Sequence, residues 1–175
     1  MKYLAPVIGL ALVLTAATAT AGELKVGDAA PDFSLPATDG KTYKLSDFKN
    51  KETVVLAWFP KAYTSGCTIE CKSLAKNGHL IRKYRASYFM VSTDPLETNK
   101  SFGAEQGADF PLLSDPTKAT ANAYGVLGVF GVPNRYTYYI GLDGKIVAID
   151  KGINPATSAE DMATTLGKLG TPARN

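Results

Sequence analysis

Residues 53–59, Thr-Val-Val-Leu-Ala-Trp-Phe, constrain the fold more than any other part of this sequence. After Thr53 the run is unbroken in apolar, β-branched and aromatic side chains, with no polar alternation. Such a run is typical of a strand buried on both faces, as in the middle of a sheet covered by helices. Residues 87–92 form a second run of this kind. We therefore expect a layered α/β domain built around two buried strands.

The segments around these strands predict an alternation of strands and helices. Residues 67–85 carry apolar side chains at helical spacing, and Asp143-Gly144 predicts the turn of a late hairpin. Ser158 and Asp161 lie at capping-box spacing and predict the start of a final helix. The other predicted elements are a first hairpin over residues 32–45, a helix over 96–106, a strand over 111–113, a short helix over 117–124, and hairpin strands over 135–140 and 145–149. This order implies an α/β fold with a mixed central sheet and helices on both faces.

Length and composition describe one globular domain and exclude several classes of protein. The chain has 175 residues, of which 45% are hydrophobic and 20% charged, so it can bury a core and is not disordered. A net charge of +3 is too small to indicate a nucleic-acid surface. Two cysteines and one histidine exclude a disulfide scaffold and a histidine-rich metal site. We expect no metal, no cofactor and no nucleic-acid partner.

The first 21 residues differ from the rest and are predicted to be a signal peptide. Lys2 precedes the apolar run of residues 7–14, and residues 19–21 supply the small side chains that a signal peptidase accepts. No cysteine follows, which excludes lipid attachment of the lipoprotein type; an uncleaved membrane anchor is the alternative. We predict cleavage after Ala21, a mature domain over residues 22–175, and a periplasmic or secreted protein that contacts a membrane only through the uncleaved leader.

Two cysteines lie where the first buried strand gives way to a helix. Pro60 ends the strand, Ser65-Gly66 forms a turn, Cys67 opens the helix and Cys71 follows four residues later. A sulfur at a helix N-terminus faces free amide groups and the positive end of the macrodipole, which favour the nucleophilic thiolate. Because disulfides persist outside the cytoplasm, we predict redox chemistry here. The alternative for Cys67 is a small buried core residue.

Residues 60–67, Pro-Lys-Ala-Tyr-Thr-Ser-Gly-Cys, match the P-x-x-x-T-x-x-C signature of the peroxiredoxins. They most resemble the bacterioferritin-comigratory, or peroxiredoxin Q, group. Other segments similar to that group occur along the chain in the group's order: residues 27–33 before this motif, and residues 110–116, 123–126, 135–140 and 143–145 after it. The resemblance implies a thioredoxin-like fold and the reduction of hydrogen peroxide or organic hydroperoxides by a cysteine.

The resemblance also assigns roles to individual residues. Cys67 falls on the peroxidatic position, where a thiolate attacks the peroxide and becomes a sulfenic acid. Thr64 falls on the threonine that hydrogen-bonds the sulfur and the incoming oxygen, and Arg135 on the arginine that holds the thiolate and polarises the peroxide. Pro60 falls on the proline that shields the sulfur. The amides of Gly66 and Cys67 would donate to the substrate oxygens.

Each assignment has a plainer alternative. Thr64 would serve equally as a turn residue or a helix cap. Arg135 would serve on a solvated strand face. Glu70 matches the T-x-E of the group, yet a glutamate in the first turn also suits the helix dipole without any catalytic role.

Cys71 departs from the group, whose resolving cysteine usually lies five positions after the peroxidatic one. In an intact helix the Cβ atoms of residues i and i+4 are about 5–6 Å apart, whereas a disulfide needs roughly 3.5–4.5 Å. We predict that Cys71 resolves the sulfenic acid of Cys67 and that the first turn of the helix unwinds to let it do so.

Two other functions compete with the peroxidase. A C-x-x-x-C pair in an exported thioredoxin-like domain also resembles the Sco copper-delivery proteins, but those need a distant downstream histidine, and the one histidine here is His79. A disulfide reductase of the thioredoxin kind would need C-x-x-C. The partners we expect are a peroxide and a thioredoxin-like or small-thiol reductant, with the protein acting as a monomer.

Overall fold

The computed structural model describes residues 23–174 of the chain. The predicted signal peptide and its cleavage site lie outside these residues. Among residues 23–174, no helix combines the length and the apolar character needed to cross a bilayer.

A five-stranded mixed sheet organises the domain. Its strands are β3 (Thr53–Trp58), β4 (Ala86–Ser92), β5 (Leu112–Ser114), β6 (Thr137–Ile140) and β7 (Ile146–Asp150), in the order β5-β4-β3-β6-β7. Strands β3, β4 and β5 are parallel, and β6 and β7 run antiparallel to their neighbours. Every residue of β3 is buried, which confirms the sequence prediction of a central strand covered on both faces.

The two faces of β3 enter two separate cores, because side chains alternate along a strand. One core contains Val55 and Ala57 and packs against α1 (Ser65–Asn77), α2 (Leu96–Gln106) and α4 (Ser158–Lys168). The other core packs against α3 (Ala119–Ala123) and the N-terminal hairpin of β1 (Ser34–Pro36) and β2 (Thr42–Lys44). The predicted mixed sheet with helices on both faces is confirmed.

The first helix is shorter than the sequence pattern predicted. It ends at Asn77, and a short 3-10 helix, Ile81–Lys83, replaces the expected continuation to residue 85. Gly78 marks the break: a Cβ at that position would lie 2.2 Å from the hydroxyl oxygen of Tyr88 and 2.5 Å from the carbonyl oxygen of Leu74. The Tyr88 side chain of β4 and the preceding helical turn leave no room for a side chain at this position.

The predicted capping box at the last helix is wrong. Helix α4 begins at Ser158 itself and Thr157 occupies the N-cap position. The hydroxyl of Thr157 donates to Asp161 Oδ2 at 2.6 Å. The Ser158 hydroxyl donates to Glu70 Oε1 of α1 and is therefore not available as a cap.

Candidate active site

The two cysteines follow directly from the end of the central strand. The amide of Phe59 still donates to the carbonyl of Val91, and Pro60, which has no N–H, ends the ladder. Thr64 is in the extended N-cap conformation, and α1 starts at Ser65. Cys67 is the third residue of α1 and is fully buried. The predicted order of strand, turn and helix is confirmed, but the position of the turn is wrong: it lies at residues 62–63, and Ser65 and Gly66 already belong to the helix.

Arg135 lies against the sulfur of Cys67. Its Nη2 donates to Cys67 Sγ at 3.1 Å, and its side chain is 18% exposed, so it does not lie on a solvated strand face. The neighbouring carbonyl of Tyr136 accepts from the amide of Trp58 at 2.9 Å, which ties this segment to the end of β3. A fixed guanidinium beside a thiol stabilises the thiolate and also any charge that develops on an oxygen bound next to it.

Glu70 forms a buried ion pair with Arg135, which also contacts Cys67. Its carboxylate is fully buried, with Oε2 paired to Arg135 Nη1 and Oε1 accepting from the Ser158 hydroxyl at 3.2 Å. Burial raises the pKa of Glu70, and the Arg135 guanidinium and the Ser158 hydroxyl partly offset this. Burial alone would lower the pKa of Arg135, but Glu70 and Cys67 outweigh it, so the guanidinium is firmly charged. Glu70 therefore anchors Arg135 and is not a solvated first-turn carboxylate.

The Thr64 hydroxyl closes the turn before the helix. It donates to the carbonyl of Lys61 at 2.9 Å and makes no side-chain cap to α1. Within residues 23–174 no hydrogen bond occupies the backbone amides of Gly66 and Cys67. The first turn of α1 therefore presents free donors beside the sulfur, as helix N-termini do when no side chain caps them.

Gly66 allows the guanidinium to approach the helix. A Cβ at this position would lie 3.1 Å from Arg135 Nη2 and 3.9 Å from Pro155 Cγ. Pro155 belongs to the short 3-10 turn Pro155–Thr157 that leads into α4. Pro60 is half-buried at the start of the loop. The sequence predicted a role for the backbone amide of Gly66. The structure shows in addition that Arg135 lies close to this glycine.

Cys71 lies one turn further along the same helix. It is fully buried, and both cysteines are free thiols. Burial, and then the charges of Glu70 and Cys67, raise the pKa of Cys71 to about 12. Helix α1 is continuous through both residues. Cys71 is thus a neutral, inaccessible thiol as long as the first turns of α1 are intact.

Sequence reasoning missed Asp94, which holds the loop before the helix. Asp94 Oδ2 accepts from the amide of Ala62 at 2.9 Å and from the hydroxyl of Ser92 at 3.0 Å. Tyr63, the residue after Ala62 in this loop, has a left-handed φ of 65°. This conformation costs about 1 kcal/mol for a residue with a side chain. Asp94 follows β4, and the carboxyl ends of parallel strands meet at one edge, which is the signal that could have identified it.

The residues of the site do not form a metal centre. Within residues 23–174 no three His, Cys, Asp or Glu side chains cluster closely enough to hold a metal ion. His79 is exposed and follows the far end of α1, at least about 9 Å along the helix axis from Cys71. The third ligand that a copper-delivery site would need is therefore not supplied by this histidine.

Comparisons with known proteins show which family the chain belongs to. A sequence profile of the AhpC/TSA family matches residues 26–149. Peroxiredoxin Bcp of Escherichia coli K12 is 35% identical over 130 residues, which are 70% of this chain and 83% of that protein. A putative peroxiredoxin of Mycobacterium tuberculosis H37Rv is 35% identical over 133 residues, which are 72% of this chain and 84% of that protein.

Solved structures give the same result. Peroxidoxin BcpB from Mycobacterium tuberculosis superposes with a TM-score of 0.75 at 31% identity, covering 83% of this chain and 98% of that one. Peroxiredoxin Q from Xanthomonas campestris superposes with a TM-score of 0.74 at 26% identity, covering 83% and 96%. The chain therefore belongs to the AhpC/TSA family and is a peroxiredoxin, a thiol peroxidase with a thioredoxin-like fold, of the bacterioferritin-comigratory or peroxiredoxin Q group.

Proposed function

We propose that Cys67 is the peroxidatic cysteine and that it reduces hydrogen peroxide and organic hydroperoxides. The observation that carries this proposal is the 3.1 Å contact between Arg135 Nη2 and Cys67 Sγ. The thiolate attacks one peroxide oxygen, the O–O bond breaks, and the other oxygen leaves with the electron pair and takes up a proton as water or an alcohol. Sulfur is oxidised by two electrons to the sulfenic acid.

The surroundings of the sulfur support this step. Negative charge moves from sulfur to the leaving oxygen during the attack, and Arg135 lies where it can stabilise both positions. The unoccupied amides of Gly66 and Cys67 are donors for the peroxide oxygens. We assign Thr64, at the exposed start of the helix, the role of a further donor once its hydroxyl leaves Lys61, and Pro60 the role of a shield beside the loop.

We propose that Cys71 resolves the sulfenic acid. Its thiolate attacks Cys67 Sγ, a disulfide forms, and the sulfenic oxygen leaves as water. In the intact helix Cys71 is buried and its pKa is raised to about 12, so it is a poor nucleophile. Unwinding the start of α1 brings the sulfurs together and also removes the burial that keeps Cys71 protonated. A thioredoxin-like or small-thiol reductant then supplies the two electrons that restore both thiols.

Single-turnover experiments test these assignments. The reduced protein is mixed with one equivalent of peroxide in a stopped-flow instrument, and the product is examined by mass spectrometry. We expect Cys67→Ser to abolish the fast reaction, and Cys71→Ser to keep the first turnover but lose recycling by thiol reductants. An intramolecular Cys67–Cys71 disulfide in the wild type supports the scheme. A lasting sulfenic acid, or a mixed disulfide with external thiol alone, would remove Cys71 from it.

We further propose that the protein is exported and acts as a monomer. The support for export is the leader over residues 1–21, with its apolar run and small residues before Gly22. Cell fractionation with N-terminal sequencing tests this, and a mature chain beginning at Gly22 in the periplasm or medium is the expected result. Full-length chain in the cytoplasm would contradict it. Analytical ultracentrifugation of the mature protein tests whether it is a monomer, and a dimer or larger assembly would contradict this proposal.

A further inference from the structure

Ser158 touches the active site from a distant part of the chain. It is the first residue of α4, it is 2% exposed, and its hydroxyl donates to Glu70 Oε1 at 3.2 Å. The turn before it, Pro155–Thr157, packs against the start of α1. At the start of α4 the side-chain hydrogen bond runs from Thr157 to Asp161, whereas the Ser158 hydroxyl bonds to Glu70 on α1.

The Glu70 carboxylate depends on its two partners. It is fully buried, and each of its oxygens has one donor: Arg135 on Oε2 and Ser158 on Oε1. A buried carboxylate oxygen without a donor costs the full desolvation penalty of that group. Removing the Ser158 hydroxyl therefore leaves the ionised form of Glu70 unsupported on one side.

We infer that Ser158 is a positioning residue for peroxide reduction, because it holds Glu70 in the ionised state that keeps Arg135 against Cys67. This inference rests on the proposed role of Cys67. Ser158 does not touch the sulfur and acts only through the carboxylate.

The inference predicts a change in pH dependence with a definite sign. The titratable and charged groups facing the carboxylate are Arg135, which also contacts Cys67, and Cys71 on its own helix. On α4, Glu160 accepts from Asn77 and Asp161 from Thr157. Burial already raises the pKa of Glu70, and the loss of the Ser158 hydroxyl raises it further. Below that pKa Glu70 is neutral and no longer anchors Arg135, so the acid limb of the rate profile moves to higher pH.

The test compares first-turnover rates of Ser158→Ala and wild type in the full chain, from about pH 5 to about pH 9. We expect Ser158→Ala to react about tenfold more slowly at the acid end, as for the loss of one hydrogen bond to a charged group, and to approach wild type at the alkaline end. Alanine suits the first turn of a helix, so the fold is retained. The matched control is Ser73→Ala, since Ser73 is a buried serine of the same interface whose hydroxyl accepts from the Ala159 amide, whereas the hydrogen bonds of Glu70 go to Arg135 and Ser158; we expect a wild-type pH profile for it.

A double mutant decides whether Ser158 acts through Glu70. In a Glu70→Gln background the carboxylate is gone, so adding Ser158→Ala should change neither the rate nor its pH profile. A wild-type-like profile for Ser158→Ala, or an equal slowing with and without Glu70, overturns the inference. A wild type that lacks the fast reaction defeats the proposed function itself, so the two failures are distinguishable.

Discussion

Gly66 has no side chain beyond a hydrogen atom, and this leaves the space that the Arg135 guanidinium occupies. A Cβ there would lie 3.1 Å from Nη2, closer than ordinary van der Waals contact. We predict that Gly66→Ala displaces the guanidinium by a few tenths of an ångström and slows the first turnover about tenfold, since small displacements of a positioned group reduce rates strongly. Stability should be unchanged or higher, because alanine favours a helix.

Gly103→Ala is the matched control for this substitution. Gly103 also lies in a helix, and its Cβ would be 3.3 Å from Leu112 Cδ1, a flexible side chain far along the sheet from Arg135. We expect wild-type turnover for this variant. Equal slowing of both variants, measured in the same stopped-flow assay, would show that the effect at position 66 does not come from the guanidinium.

The sequence identified some residues of the site and could not identify others. Cys67 and Thr64 belong to one short motif, and Arg135 belongs to a segment with its own pattern. These residues could therefore be predicted from fixed spacings along the chain. Ser158 is 88 residues from Glu70, and its hydroxyl fitted a local capping pattern that the structure does not use. Asp94 likewise acts on a loop 32 residues away. Spacing along the chain contains no information about such contacts.

At the level of elements, the proposed resolution of Cys67 by Cys71 requires the first turn of α1 to open during turnover. The reduced helix is continuous from Ser65 and contains both cysteines. We predict that the disulfide form exchanges the backbone amide hydrogens of residues 68–71 faster than the reduced form does, because the bonds from those amides to the first-turn carbonyls, such as that from Thr68 to Thr64, are broken. Hydrogen exchange with mass spectrometry measures this directly.

Peroxide-treated Cys71→Ser serves as the control for helix opening. It forms no internal disulfide, so its α1 should remain as protected as that of the reduced wild type. Equal protection of α1 in a wild-type sample with a verified Cys67–Cys71 disulfide would contradict the opening. The four-residue spacing would then have to be bridged without unwinding, against the Cβ separation of about 5–6 Å in a helix.

At the scale of the whole molecule, the topology explains why the site lies where it does. Strands β3 and β4 are parallel, and β6 runs antiparallel to β3, so the ends of β3 and β4 and the start of β6 meet at one edge. Each of these three strand ends adjoins one residue of the site: Cys67 comes after β3, Asp94 after β4, and Arg135 before β6. Strand β7 ends at the same edge, which brings Ser158 to the cluster. The order of elements predicted a mixed sheet, but not the strand neighbours that bring these residues together.

The oxidation state should affect the stability of the whole domain. Opening the first turn of α1 disturbs the buried pair of Glu70 and Arg135, and an incompletely paired buried charge costs about 3–5 kcal/mol. The disulfide closes only a short loop, so its entropic stabilisation is at the small end of the usual range. We predict a lower melting temperature for the disulfide form than for the reduced form. A higher melting temperature in calorimetry would mean that the Glu70–Arg135 ion pair survives oxidation intact.

The first-turnover rate of Arg135→Ala measures whether Arg135 activates Cys67 for attack on a peroxide. The reduced variant is compared with wild type and with Lys61→Ala, which removes an exposed positive charge from the loop before the helix. We expect Arg135→Ala to slow sulfenic acid formation about 100-fold, as for the loss of one preorganised donor, and Lys61→Ala to leave it unchanged. An Arg135→Ala rate indistinguishable from wild type would show that Arg135 does not activate Cys67.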